Sequence, residues 1–123
     1  MKSKNAWIYF DHILESIFYL QKYTKDTSRT KFLKSVELQD KVIRRLEIIG
    51  EAVKNIPNPI RQKYKDVPWK KIAGMRDVLI HDYFEVELDL AWGVIKSDIP
   101  ILKKQIGKIR EELNPQFAKL AKK

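Results

Sequence analysis

Apolar residues recur three and four positions apart along most of the chain, the spacing that gathers them on one face of an α-helix. From Asn5 to Tyr23, the residues Phe10, Ile13, Ile17 and Leu20 form a heptad-like row flanked by Trp7, Leu14 and Phe18. This predicts a first helix whose apolar face is broad enough to meet both a core and another surface. Thr24 to Arg29 reads as a loop, followed by a short turn around Phe32 and Leu33. A second long helix is predicted from Val36 to Asn55, with Val42, Leu46, Ile49 and Val53 on one side. Gly50 inside it costs about 1 kcal/mol relative to alanine, which either close helix approach or simple tolerance would account for. Pro57 and Pro59 end that helix, and the chain up to Asp66 is a loop or a short helical turn.

A third helix is predicted from Pro68 to Phe84, with the proline in the first turn, where its missing N–H costs nothing. Gly74 lies roughly opposite Arg76 on it, where a neighbouring backbone could come near. The last helical region runs from Val86 to Leu113, bent or divided by Pro100 after Ser97-Asp98. Four main helices with short connections predict an all-α fold, an antiparallel four-helix bundle with short extra helical turns. The expected organisation is one helical domain over residues 1–113 and a basic C-terminal tail over residues 114–123.

One position breaks the pattern. Counting outward from Arg76 on the third helix, Trp69, Ile72, Ala73, Leu79, Ile80 and Tyr83 all fall within about 60° of it. The arginine therefore sits in the middle of the apolar stripe. A guanidinium cannot shed its proton, and burying it alone is costly, so an anion must meet it there. That anion is either a fixed carboxylate, with Glu47 and Glu51 on the second helix as candidates, or a bound phosphate.

The stretch Arg76-Asp77-Val78-Leu79-Ile80-His81-Asp82-Tyr83 resembles the signature of the HEPN superfamily: arginine, four residues, histidine, one residue, tyrosine. More narrowly it is similar to the HepT-like toxins of HEPN/MNT toxin–antitoxin operons. Arg45 to Ala52, Val67-Pro68-Trp69, Ile72 to Arg76 and Leu88 to Trp92 carry the same likeness in the same order, and the likeness covers roughly residues 7–107. The resemblance implies a metal-independent endoribonuclease in a type VII-like system, needing no cofactor and acting on RNA as a homodimer. It implies Arg76 and His81 as catalytic residues. It also implies that a cognate MNT-type nucleotidyltransferase antitoxin attaches AMP to Tyr83. The alternative is a non-catalytic helical partner that binds and positions the nucleotidyltransferase.

The residue types suit that chemistry. An unperturbed imidazole titrates near neutrality, so His81 can move the protons, and the planar fork of Arg76 can hold two phosphoryl oxygens. Asp77, four residues before His81 and about 40° from it, can orient the ring, and Glu51 can steady the guanidinium. Arg76 and His81 themselves are about 140° apart on a regular helix. Either the helix distorts near His81, or both side chains lean into a cleft, or a two-fold dimer brings two motifs together. Lys70, Lys71 and Arg45 are candidate RNA contacts, with Arg44 beside them, although solvated charge is the blander reading. His12 has no comparable context and reads as a surface or interface residue; Trp7, Trp69 and Trp92 read as packing anchors.

Composition narrows the partners. The chain has 123 residues, no cysteine and two histidines, which excludes disulfides and leaves little for a zinc site. Its net charge of +9 favours polyanions, nucleic acid first, or an acidic protein. From Lys103 onward only Glu111 and Glu112 offset a run of lysines and Arg110. The N-terminal apolar run is interrupted by Asp11, His12 and Glu15, so no signal peptide or membrane span is expected and the cytoplasm is the expected compartment.

Overall fold

The computed structural model describes residues 2–81 and 85–113, with side chains for all of these except 2–6, 76, 78–81 and 85–87. The described residues are helical throughout apart from short connections, and none forms a strand. The helices are α1 (Lys2–Thr24), α2 (Arg29–Lys34), α3 (Val36–Lys54), α4 (Asn58–Lys63), α5 (Trp69–His81), α6 (Glu85–Gly93) and α7 (Ile99–Leu113). A π-helical segment, Val94–Asp98, joins the last two. No helix among the described residues is long and apolar enough to cross a membrane.

The two rows read from the sequence are the centre of the core. Phe10, Ile13, Ile17 and Leu20 on α1 and Val42, Leu46, Ile49 and Val53 on α3 are all fully buried. At about 1.5–3 kcal/mol for each large apolar side chain, these two faces dominate the driving force. α3 packs against α1 on one side and α5 on another, while α7 lies along α1. Gly50 is buried on α3.

Local chemistry sets the boundaries. α1 ends where the Thr24 hydroxyl donates back to the Leu20 carbonyl at 2.8 Å. Ser28 caps α2, accepting from the Lys31 amide at 3.2 Å, so the expected turn around Phe32 is a six-residue helix that buries this phenylalanine. Ser35 serves two helices: its N–H closes α2 on the Phe32 carbonyl, and its hydroxyl accepts from Leu38 to start α3. The buried amide of Gln39 donates to that same Phe32 carbonyl at 3.0 Å. Pro59 occupies the first turn of α4, where it suits a helix start, and Ile60 anchors the helix to the core.

Two expectations change and one is refined. Pro68 precedes the third long helix rather than lying inside it: its carbonyl accepts the first bond, from the Ile72 N–H at 3.1 Å. Pro100 divides the last helical region after Ser97-Asp98 as expected, but by a change from π to α geometry and not by a gap. The Ile99 N–H reaches back five residues to Val94, and this wider turn makes room for a ring that would otherwise clash with the preceding turn. Gly74 is exposed, and a Cβ there would meet nothing within 4 Å, so it makes no room for a neighbouring backbone.

Candidate functional site

α5 is the rail that carries the candidate chemistry. Trp69 fixes its start, 7% exposed, with its indole N–H donating to the Tyr64 carbonyl at 2.9 Å. Ile72 is buried and Ala73 and Met75 are half-buried against the core, which sets the rotation of the helix. The Tyr64 hydroxyl ties the preceding turn to α7 by donating to Glu112 Oε2 at 2.5 Å. Burial first, then the hydrogen bond and charge of Glu112, push that phenol up to about 12.

Arg76 and His81 both belong to this one helix, which stays α-helical through His81. They are therefore about 140° apart around the axis and about 7.5 Å apart along it. A distorted helix end before His81 is not what brings them together. The side chains of Arg76 and His81 lie outside the described ones, and Tyr83 lies outside the described residues. Asp77 is exposed on α5 and Glu51 exposed on α3, and neither is a free carboxylate. Glu47, the other carboxylate considered for Arg76, is half-buried and lies 3.9 Å from Arg44 on its own helix. Glu47 and Glu51 line a hollow of about 250 Å³ with Tyr9, His12, Arg44 and Asn55. His12 therefore shares a surface depression with Glu51, a neighbourhood that spacing along α1 gives no means of finding.

The start of α5 also forms one wall of a groove of about 410 Å³. Ile72 and Met75 face Leu90, Val94, Ile99 and Leu102 across it, with Lys70 and Lys71 at its edge. Lys71 spends its charge on Asp98 at 3.2 Å. Arg45 lies elsewhere, stacked 4.3 Å from the Tyr19 ring centre and 3.9 Å from Glu15 on α1. The three cations singled out from the sequence thus divide between two faces, and two of them have carboxylate partners. Among the tryptophans, Trp69 is a buried anchor, Trp92 stacks on Phe32 with ring centres 5.4 Å apart, and Trp7 lies under the Arg110 guanidinium at 4.4 Å.

Residues 13–109 match the HepT-like family, described as Ribonuclease HepT-like. A Methanocaldococcus jannaschii protein named "Gamma-glutamylcyclotransferase and putative RNase" is 56% identical over 111 residues, covering 90% of this chain and 50% of its own length. A "Putative RNase" of Caldanaerobacter subterraneus is 46% identical over 104 residues, covering 85% of this chain and 93% of its own. A "Probable ribonuclease HepT" of Thermococcus cleftensis is 43% identical over 103 residues, covering 84% of this chain and 94% of its own. The chain spans half the length of the first relative and nearly all of the other two. No solved structure matches the chain.

Proposed function

The chain belongs to the HepT-like ribonuclease family, and on that premise we propose that it is a metal-independent endoribonuclease toxin held in check by a nucleotidyltransferase antitoxin. The observation that carries this reading is the unbroken α-helix Trp69–His81, which holds Arg76 and His81 in fixed register at the edge of the core.

Neutral His81 takes the proton from a ribose 2′-OH. The 2′-oxygen attacks the adjacent phosphorus, and the bond from phosphorus to the 5′-oxygen breaks. The departing oxygen receives a proton from a second imidazolium, leaving a 2′,3′-cyclic phosphate and a 5′-hydroxyl. Arg76 donates two hydrogen bonds to the phosphoryl oxygens as their negative charge grows. Because a regular helix points the two side chains in different directions, the complete site takes Arg76 and His81 from both members of a two-fold dimer. The packing of α3 between α1 and α5, with α7 along α1, supports the antiparallel four-helix arrangement that such a dimer would pair. Asp77 and Glu51 position the catalytic pair. AMP on Tyr83 adds a phosphate and a base seven residues from Arg76 in the chain, competing with RNA for that charge.

The test is incubation of the protein with total RNA and mapping of the new ends. Wild type produces cyclic phosphate termini. Arg76→Ala and His81→Ala lose at least about a hundredfold in cleavage rate, as removal of a general base or a charge-stabilising donor does, while still folding and pairing. Full activity in either variant removes the enzymatic reading. Tyr83→Phe stays active when the cognate antitoxin is present, and loss of that escape removes the regulatory part.

A further inference from the structure

Six lysines gather along the α1–α7 seam. Its surface is hollowed into two depressions of about 510 and 580 Å³ that share Gln21, Pro100 and Lys103 and so run on as one groove. Lys22, Lys25, Lys96, Lys103, Lys104 and Lys108 line it, against Glu111 as the one carboxylate in its lining. Lys96 donates to the Thr24 carbonyl and Lys103 to the Gln21 side-chain oxygen, each at 3.2 Å, so both are positioned without being neutralised. Lys22, Lys25, Lys104 and Lys108 have no carboxylate partner among the described residues. Phe18, 60% exposed, stands at one end of the groove, one helical turn before Lys22.

Keeping six like charges together costs stability unless an anion spends time among them. The arrangement selects the kind of anion. Lys104 and Lys108 rise about 6 Å along α7, near one nucleotide step of an extended strand. An exposed phenyl beside lysines offers a base a stacking surface next to cations for its phosphates, the combination that a strand with unpaired bases uses.

We propose that the α1–α7 groove is a track for single-stranded RNA, holding nucleotides that flank the one cleaved at α5. The lysines take the phosphates and Phe18 takes a base. That the strand is RNA rests on the ribonuclease reading; that the groove binds a single strand rests on the groove itself.

The test measures binding of a dye-labelled 20-nucleotide oligouridine by fluorescence anisotropy over a range of salt, with every protein also carrying His81→Ala so that the probe survives. For single strands each phosphate contact contributes about 0.7 to the slope of log affinity against log salt. The triple variant Lys22→Ala, Lys104→Ala, Lys108→Ala therefore lowers the slope by about 2 and weakens binding at low salt at least tenfold. Lys104→Arg with Lys108→Arg keeps the slope of the parent. Phe18→Ala weakens binding about tenfold with the slope unchanged. An unaltered slope in the triple variant overturns the proposal. So does displacement of the probe by polyglutamate as effectively as by unlabelled oligouridine, with Phe18→Ala silent, which would assign the groove to an acidic protein. Thermal melts confirm that each variant is folded. Cleavage is read separately on wild type, so a protein that binds as described yet leaves RNA intact sinks the nuclease reading and spares the groove.

Discussion

The protein treats its positive charge in two opposite ways around α1. Toward α3 and at the C-terminal end of α7, two arginines are tied down by rings and carboxylates. Arg45 lies over Tyr19 and near Glu15, and Arg110 lies over Trp7 with its Nε 2.6 Å from Asp11. Along the groove between α1 and α7 the cations are lysines, and four of them have no carboxylate partner among the described residues. The side-chain chemistry accounts for the division. A planar guanidinium stacks on an aromatic face while bonding a carboxylate in its plane, so it can serve as a rivet between helices. An ammonium on a flexible stem keeps its hydration and remains available to a ligand that arrives and leaves. Net charge reports the sum of these two populations, which is why +9 hints at a polyanion without saying where one binds.

Stability separates the two populations most sharply. Replacing Arg45 and Arg110 together with alanine removes two stacked and paired cations, each worth about 1 kcal/mol, for a loss of about 2 kcal/mol in urea unfolding. Exposed groove lysines changed to alanine stay within about 0.5 kcal/mol of wild type. Equal losses from both sets would erase the distinction. High salt refines it, because the stacking of Arg45 and Arg110 on their rings survives screening and binding in the groove does not.

A smaller effect comes from Gly107, which lines the groove on α7. A Cβ there would meet nothing within 4 Å, and the residue is inside a helix. Gly107→Ala accordingly stabilises the protein by about 0.5–1 kcal/mol. If a strand lies close to the α7 backbone, the same variant also binds oligouridine more weakly, so stability and affinity move in opposite directions. A gain in stability with unchanged affinity would leave the lysines as the whole of the contact at that point.

How far the chain could be read before folding follows the same division between local and distant causes. The apolar rows of α1 and α3 were legible because a 3.6-residue period is local, and so was the register of Arg76 and His81 on one helix. The π-helical turn before Pro100 was not, since a proline gives the same warning of a break as of a widened turn. The two prolines near α4 left a loop and a short helical turn both open, and contacts of Ile60 with the distant core decide for a six-residue helix. The ion pairs of Lys71 and Arg45 are not legible because Asp98 and Glu15, which pair with them, are remote in sequence. The groove was invisible for the matching reason: the run of lysines from Lys103 was plain, but Lys22 and Lys25 join it only when α1 and α7 lie side by side. Gly74 was misread because an open helix face and a close helix contact place glycine equally well.

The smallest effect tests a charge that is settled by a neutral partner. Tyr64 donates to Glu112 and its phenol is pushed up to about 12, from an ordinary value of about 10. Between about pH 10 and 12 the unfolded chain has released this proton while the native protein still holds it. The native state then binds more protons than the unfolded one, so stability falls as pH rises through that window and is fully present below it. Tyr64→Phe removes the hydrogen bond, and because the pair is partly exposed and screened the cost at pH 8 is less than about 1 kcal/mol. The difference between wild type and variant should shrink toward zero as pH approaches 12, with the titration of the lysines cancelling between the two proteins. A gap that stays constant across the window would mean that ring packing, rather than the bond to Glu112, is what Tyr64 contributes, and that Glu112 is as available to the end of α7 as Glu111 is to the groove.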